Sequence, residues 1–179
     1  MCDFQKCSTF NIDNEYYTKK EMWKNISHLI PKDKIIYEAC ILNSNSKSIE
    51  YWKELGYNVV GNKEWDIFDE HDIEWDICIT NPPFETIIKQ NILKKLVEWD
   101  KPFIIVMNAS NTFTSYFREI FKDKFKDLQT IIPKGKILFE KYDIENKTME
   151  KAGRTGSPAF YCIYLCYKMN FKPEELWLI

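Results

Sequence analysis

The sequence has little of what a metal site or a glycine-rich loop requires. It holds five glycines, two histidines and six cysteines in 179 residues. His28 and His71 lack a metal-ligand spacing, and no two cysteines form a Cys-x-x-Cys pair. We therefore predict no metal, thiols that stay reduced, and an intracellular, cytoplasmic protein.

Long hydrophobic runs and an excess of positive charge are missing as well. No apolar stretch approaches the length that spans a bilayer, and the first residues do not begin an apolar signal region. No membrane partner is therefore expected. The net charge of −2 excludes a global basic signature of nucleic-acid binding. Basic residues outnumber acidic ones between Arg118 and Arg154.

What the chain does have is an alternation of strand-like and helical segments. Its length and its hydrophobic content of 45% predict one globular domain, residues 1–179. Strands are predicted at 35–37, 57–60, 77–80, 103–107, 128–132 and 159–167, and helices near 49–55, at 86–98 and near 115–121. This alternation predicts an α/β fold with a mostly parallel sheet and helices on its faces.

Several further expectations concern single segments. Residues 1–17 look irregular, and Thr18 to Glu21 forms a capping-box pattern that opens a helix ended by Pro31. Ile87 is placed on the inward face of the helix at 86–98. A weak strand-like segment lies near 65–70, and 136–139 is an extended candidate.

The most informative stretch is Asn81-Pro82-Pro83-Phe84, which follows the apolar strand at 77–80. Ligands of open α/β sheets bind beyond the carboxyl ends of such strands. The prolines fix φ and remove two backbone donors, so nearby carbonyls stay free. An Asn side chain beside such carbonyls suits an NH2 group, and Phe84 offers a face to a planar ring. The tetrapeptide predicts a site for a planar amine.

This tetrapeptide resembles the catalytic motif of the amino-group methyltransferases that use S-adenosylmethionine (AdoMet). Flanking segments are similar, in the same order, to small DNA N6-adenine methyltransferases of phages and large algal viruses; these are Tyr16-Tyr17-Thr18, Tyr37-Glu38, 55–59, 100–103 and 132–137. The resemblance implies a Rossmann-like methyltransferase fold with an antiparallel last strand. It also implies a DNA partner, and a host cell or virion as the location if the chain is viral.

Candidate cofactor residues follow from the needs of AdoMet. Glu38 directly follows the first strand, where a carboxylate can reach the methionyl ammonium. Asp66 is a candidate acceptor for the adenine amine and Phe68 a stacking partner, while Glu64 is a weaker choice for the ribose. Either Glu64 or Asp66 is then a surface charge. The full predicted set is Tyr17, Thr18, Glu38, Asn43, Asn45, Glu64, Asp66, Phe68 and Asn81.

The loop after the first strand departs from the family pattern. Residues 38–48 contain no glycine, whereas the family has Gly-x-Gly there for close backbone approach. Asn43 and Asn45 tolerate left-handed conformations, but their side chains occupy room that glycine leaves open. We therefore expect weak AdoMet binding.

In the expected reaction a flipped adenine stacks on Phe84, and its amine donates to the Asn81 side chain and the Pro82 carbonyl. The basic residues Lys141, Lys147, Lys151 and Arg154 are candidates for DNA phosphate contacts. Two alternatives remain open from the sequence. One is a methyltransferase acting on RNA or a protein glutamine, which also present a planar NH2 group. The other is a non-catalytic descendant that binds nucleic acid or a protein, and the glycine-free loop favours it.

Overall fold

The computed structural model describes residues 16–41, 47–62, 67–69, 72–143, 148–151 and 160–176. Its strands are β1 (Tyr17–Thr18), β2 (Ile35–Tyr37), β3 (Asn58–Val60), β4 (Ile77–Thr80), β5 (Phe103–Asn108), β6 (Leu128–Ile131), β7 (Phe139–Asp143), β8 (Thr148–Lys151) and β9 (Cys162–Tyr167). Its α-helices are α1 (Lys20–Ser27), α2 (Lys47–Glu54), α3 (Thr86–Trp99) and α4 (Ser115–Phe121). Short 3-10 turns occupy Ala109–Phe113, Phe125–Asp127 and Pro173–Leu176.

Within these residues the main sheet has six strands in the order β3-β2-β4-β5-β9-β6. Strands β3, β2, β4 and β5 run parallel, while β9 lies antiparallel between β5 and β6. This confirms the predicted α/β, Rossmann-like fold with a mostly parallel sheet and an antiparallel last strand. The chain leaves β2 toward β3 and then returns to the other side of β2 as β4. The gap between β2 and β4 is therefore the topological switch point.

The sheet is buried on both faces because its strands are almost wholly apolar. One face packs Trp23 of α1 and Trp52 of α2 against a cluster that includes Ile79, Ile104 and Tyr164. The other face packs α3 and α4 against alternate strand residues, including Cys78, Phe103, Ile105 and Tyr167. Successive residues of one strand point to opposite faces, so β4 and β5 contribute to both clusters.

A second, three-stranded sheet in the order β1-β7-β8 was not predicted. Thr18 pairs with Phe139, and Lys19 N–H donates to Leu138 O at 3.2 Å. The predicted irregularity of residues 1–17 is therefore wrong at Tyr17, which lies in β1. Residues 1–15 lie outside the described part of the chain. The pairing joins segments about 120 residues apart, a contact that local patterns do not encode.

Four local expectations also need correction. Thr18 does not cap α1, because it belongs to β1; Lys19 is the N-cap and makes no side-chain cap bond. The strand expected at 136–139 begins only at Phe139, where its partner Thr18 is available. In the 65–70 segment, residues 67–69 form a turn and no strand, and residues 65, 66 and 70 lie outside the described part of the chain. Ile87 points outward and is 67% exposed.

The position of Ile87 follows from the helical period. Ile88, Ile92 and Leu96 form one buried row of α3, and Lys89, Leu93 and Val97 form the next. Ile87 lies about 100° from Ile88 around the helix axis, outside those two rows.

Candidate active site at the switch point

Two of the predicted site residues, Glu38 and Asn81, lie where β2 and β4 end side by side. Tyr37 at the end of β2 is paired with Cys78 of β4. Glu38 directly follows β2 and Asn81 directly follows β4. Parallel neighbours end at the same edge of a sheet, so both side chains enter the crevice at the topological switch point.

The Asn81 side chain has a fixed orientation. Its Nδ2 donates to the backbone carbonyl of Tyr16 at 2.7 Å. A carbonyl only accepts hydrogen bonds, so the amide nitrogen must face Tyr16 and the Oδ1 atom must face away from it. That Oδ1 atom is buried and has no hydrogen-bond partner among the described residues. The side chain thus presents an unused acceptor, as expected for binding an amine.

Glu38 is a buried carboxylate with one occupied and one unused oxygen. It is 2% exposed. Its Oε1 accepts from the Thr80 hydroxyl and from Cys40 N–H at 3.3 Å, and the Thr80 hydroxyl in turn accepts from Cys40 N–H at 3.1 Å. Its Oε2 has no hydrogen-bond partner in the described part of the chain.

Burial governs the protonation of Glu38. It raises the pKa of the carboxyl from 4.5 to about 7, while hydrogen bonds from Thr80 and Cys40 and the nearby Ser48 hydroxyl act in the opposite direction. A carboxylate in this setting is ionised most readily when a cation lies beside it. The site therefore favours a positively charged partner at Oε2.

A cavity joins these two unused acceptors with a third polar group. Tyr16, Tyr17, Thr18, Glu38 and Asn81 line it. The Thr18 hydroxyl oxygen is also buried and has no partner among the described residues, so three of the residues that line the cavity each carry such an atom. Unpaired buried polar groups are rare because each costs about 1–3 kcal/mol. Their convergence at one cavity indicates a ligand with several hydrogen-bonding groups.

The rest of the Asn-Pro-Pro-Phe tetrapeptide is held by aromatic rings. Pro82 is buried and Pro83 is half-buried. The half-buried Phe84 ring lies 5.9 Å from Tyr16, 5.6 Å from Phe139 and 5.3 Å from Phe160, measured between ring centroids. Two of these contacts are edge-to-face, a favourable geometry for aromatic pairs. The ring of Phe84 is therefore held in place from three sides.

Sequence reasoning missed two polar residues of the site. Thr80 orients Glu38, and its signal was a hydroxyl at the end of an otherwise apolar strand. Lys89 is 4% exposed, and its Nζ donates to Phe84 O at 3.3 Å. Burial lowers the pKa of Lys89, while the neighbouring Cys162 raises it. Nothing in the sequence distinguished this lysine from those on solvent-exposed helix faces.

Of the predicted residues not yet placed, the structure describes the side chains of Phe68 and Lys141. Phe68 packs against the cluster on the α3 side of the sheet. Asn43, Asn45, Glu64 and Asp66 lie outside the described residues, as do Lys147 and Arg154. Lys141 Nζ lies 5.0 Å from the Tyr16 ring centroid. The DNA contacts expected of these lysines and of Arg154 stay a prediction.

Across the described ranges, no three His, Cys, Asp or Glu side chains are grouped closely enough to bind a metal ion. No helix there is both long enough and apolar enough to cross a bilayer.

Comparison with known proteins gives limited information. No protein-family model and no curated protein matches this chain. Among solved structures, it is similar to a SAM-dependent O-methyltransferase from Thermotoga maritima at 15% sequence identity and a TM-score of 0.39, over 87% of this chain and 67% of that one. A likeness this weak says nothing about substrate or site. The strand order and pairing themselves establish the Rossmann-like topology of the chain.

Proposed function

We propose that this chain is an AdoMet-dependent methyltransferase that acts on an exocyclic amine, the N6 group of adenine in DNA. The observation that supports this most is the unused Oδ1 of Asn81. It is buried at the switch point, and the bond to Tyr16 fixes its direction. A buried acceptor held this way has a clear use in binding an N–H donor.

The cofactor residues fit AdoMet in chemical character. The unused Oε2 of Glu38 suits the methionyl ammonium, and Tyr17 and Thr18 line the same cavity. When bound, AdoMet supplies an electrophilic methyl group. Binding the ammonium would keep Glu38 ionised in its buried position.

The chain's own residues then bind and orient the target amine. Asn81 Oδ1 and the Pro82 carbonyl accept the two N–H donors, which favours a pyramidal nitrogen and leaves its lone pair available. The amine keeps its protons until the nitrogen becomes cationic and therefore acidic, so no basic side chain has to remove one beforehand. Phe84 stacks on the ring, and most of the rate comes from positioning and exclusion of water.

A second candidate is a non-catalytic relative that binds a nucleic acid without transferring a methyl group. The size of the cavity favours it. Its volume is about 20 Å³, which holds about one water molecule. AdoMet therefore enters only if the residues that line this cavity move apart. The alternative substrates, RNA and a protein glutamine, present the same planar NH2 group.

The decisive experiment compares the parent with Asn81→Ala. We expect a loss of methyl transfer to DNA on the order of 100-fold, the usual effect of deleting one polar group aimed at the reacting centre. The loss of AdoMet affinity, measured by calorimetry, should be smaller, since Asn81 reaches the cavity mainly through its bond to Tyr16. A radiolabelled-methyl assay measures the transfer. Asn91→Ala, the same deletion on α3, is the control and should transfer at the parental rate.

Each outcome selects one function. Equal transfer by Asn81→Ala and the parent would contradict the proposed role of Asn81. AdoMet binding with transfer only to RNA or to protein would change the substrate. Absence of AdoMet binding would select the non-catalytic candidate.

A further inference from the structure

Three exposed hydrophobic residues lie on segments at the edge of the sheet that holds the site. In the described part of the chain, four large hydrophobic residues are exposed: Ile87 at 67%, Phe113 at 80%, Phe125 at 48% and Tyr161 at 67%. Single exposed hydrophobic residues need no explanation, but a group at a functional edge does.

Phe113 and Tyr161 flank two paired strands, β5 and β9. Phe113 ends the 3-10 turn that follows β5. Tyr161 precedes β9, which is antiparallel to β5 with Asn108 paired to Cys162. Ala109 N–H donates to Tyr161 O at 2.9 Å. Both rings therefore lie at the edge where β4 ends at Asn81.

Contacts connect this edge with the candidate active site. Phe160, next to Tyr161 in sequence, places its ring 5.3 Å from that of Phe84. Ile87 lies in the first turn of α3, three residues after Phe84. Phe125, in contrast, precedes β6, which runs parallel to β5 because both are antiparallel to β9. It therefore lies at the opposite edge of the sheet.

The charge of this edge favours a polyanion. The described loops at 108–114, 132–138 and 160–161 contain Lys134 and Lys136 and no Asp or Glu, and the loop that carries Asn81 at the same edge adds one exposed acidic residue, Glu85. Lys134 is exposed, and Lys136 Nζ lies 4.8 Å from the centroid of the Tyr161 ring. Exposed aromatic rings beside lysines are the arrangement that binds unpaired nucleic-acid strands.

We infer that the substrate is an unpaired polynucleotide strand and that bases flanking the target stack on Phe113 and Tyr161. This inference rests on the proposed function, because it assigns the strand to the same site. Rings that stack on flanking bases need access to the base faces, which a continuous duplex hides. Lys134 and Lys136 contact the phosphates of the same strand. A peptide substrate would offer neither the planar faces nor the regular negative charge.

The test measures binding without requiring catalysis. A fluorescein-labelled, adenine-containing oligodeoxynucleotide is titrated with protein, as a single strand and as a duplex, and anisotropy gives the affinity. The variants are Phe113→Ala, Tyr161→Ala and the double variant. Phe125→Ala is the matched control, since it removes an exposed ring at the other edge. Thermal unfolding of every variant verifies that each remains folded.

We expect the single strand to bind more tightly than the duplex. Each ring variant should weaken single-strand binding roughly tenfold, within the range for base–aromatic stacking, and Phe125→Ala should leave it unchanged. The inference would be overturned if the double variant kept the parental affinity, or if Phe125→Ala lost as much affinity as the ring variants. It would also be overturned if the duplex bound more tightly than the single strand, or if neither bound. AdoMet calorimetry on the parent tests the proposed function separately, so the two failures are distinguishable.

Discussion

At the scale of single residues, the site is defined by polar atoms that the fold buries and leaves unpaired. In the described part of the chain, Asn81 Oδ1, Glu38 Oε2 and Thr18 Oγ1 are such atoms, and their residues line the cavity. A neutral methylated or apolar ligand would leave all three unsatisfied. A ligand with an ammonium group and an amine would pair them, which is the combination that AdoMet and adenine provide.

Glu38 makes the stability of the free protein depend on pH. The carboxyl has an ordinary pKa of 4.5 in the unfolded chain and a pKa of about 7 in the folded one. Below pH 4.5 the carboxyl is protonated in both states, so its contribution to the stability of the folded protein is fully present there. Between 4.5 and 7 the unfolded state loses the proton first, so the contribution is lost as pH rises through 7.

Replacement of Glu38 by Gln should remove this dependence. We expect the free energy of unfolding of Glu38→Gln, relative to the parent, to be higher at about pH 8 than at about pH 4 by about 3 kcal/mol. Urea unfolding of both proteins at the two pH values measures the difference, and comparison within each pH cancels the other titrating groups. A relative stability that stays constant across pH would show that Glu38 is not desolvated as described.

At the scale of elements, a glycine on the neighbouring strand supplies a close approach that the loop sequence lacks. Residues 38–48 contain no glycine, but Gly61 follows β3 with φ of 155°. A Cβ atom there would lie 2.7 Å from Glu38 O and 3.0 Å from Ile41 Cδ1. Gly61 thus allows the backbone after β3 to lie close to the backbone carbonyl of Glu38.

Gly61→Ala should therefore disturb both stability and the site. We expect a loss of about 1–3 kcal/mol in the free energy of unfolding, since the new methyl group meets a backbone carbonyl and the backbone conformation favours glycine. Gly135→Ala is the control, because a Cβ atom there meets nothing within 4 Å. Urea unfolding measures both variants, and equal stability of the two would show that the end of β3 is free to move.

The elements also show where local patterns succeed. The strands at 35–37 and 77–80 and the helix at 115–121 have the predicted bounds, because continuous apolar runs or capping residues mark them. Thr114, for example, accepts from Phe117 N–H at 3.4 Å at the start of α4. Thr18 looked equally suited to capping, but pairing with Phe139 placed it in a strand. Tertiary pairing overrides a local signal of this size.

At the scale of the whole molecule, the two sheets should differ in local stability. β4, β5 and β9 are buried along most of their length and pair with neighbours on both sides. β1 has two residues, and among the described strands it pairs with β7. Native-state opening is easiest where few buried contacts must break.

Amide hydrogen exchange should follow this difference. We expect the slowest exchange in β4, β5 and β9, close to the rate set by global unfolding, and faster exchange in β1 and β7. Mass spectrometry of proteolytic fragments after deuterium labelling measures both. Equal protection in the two sheets would show that they open as one unit, contrary to this expectation.

The sequence by itself determined the α/β class, the central strands and the position of Asn81 after a buried strand, because these depend on short-range apolar patterns and turn residues. Only the tertiary structure decided the second sheet, the partner of Asn81 Nδ2, and the roles of Thr80, Lys89 and Gly61. The second sheet, the bond to Tyr16 and the roles of Thr80 and Gly61 depend on contacts between distant segments, and the role of Lys89 depends on its burial in the folded chain. Tyr16 lies 65 positions from Asn81 and Glu38 lies 42 from Thr80, and no local pattern specifies such a meeting.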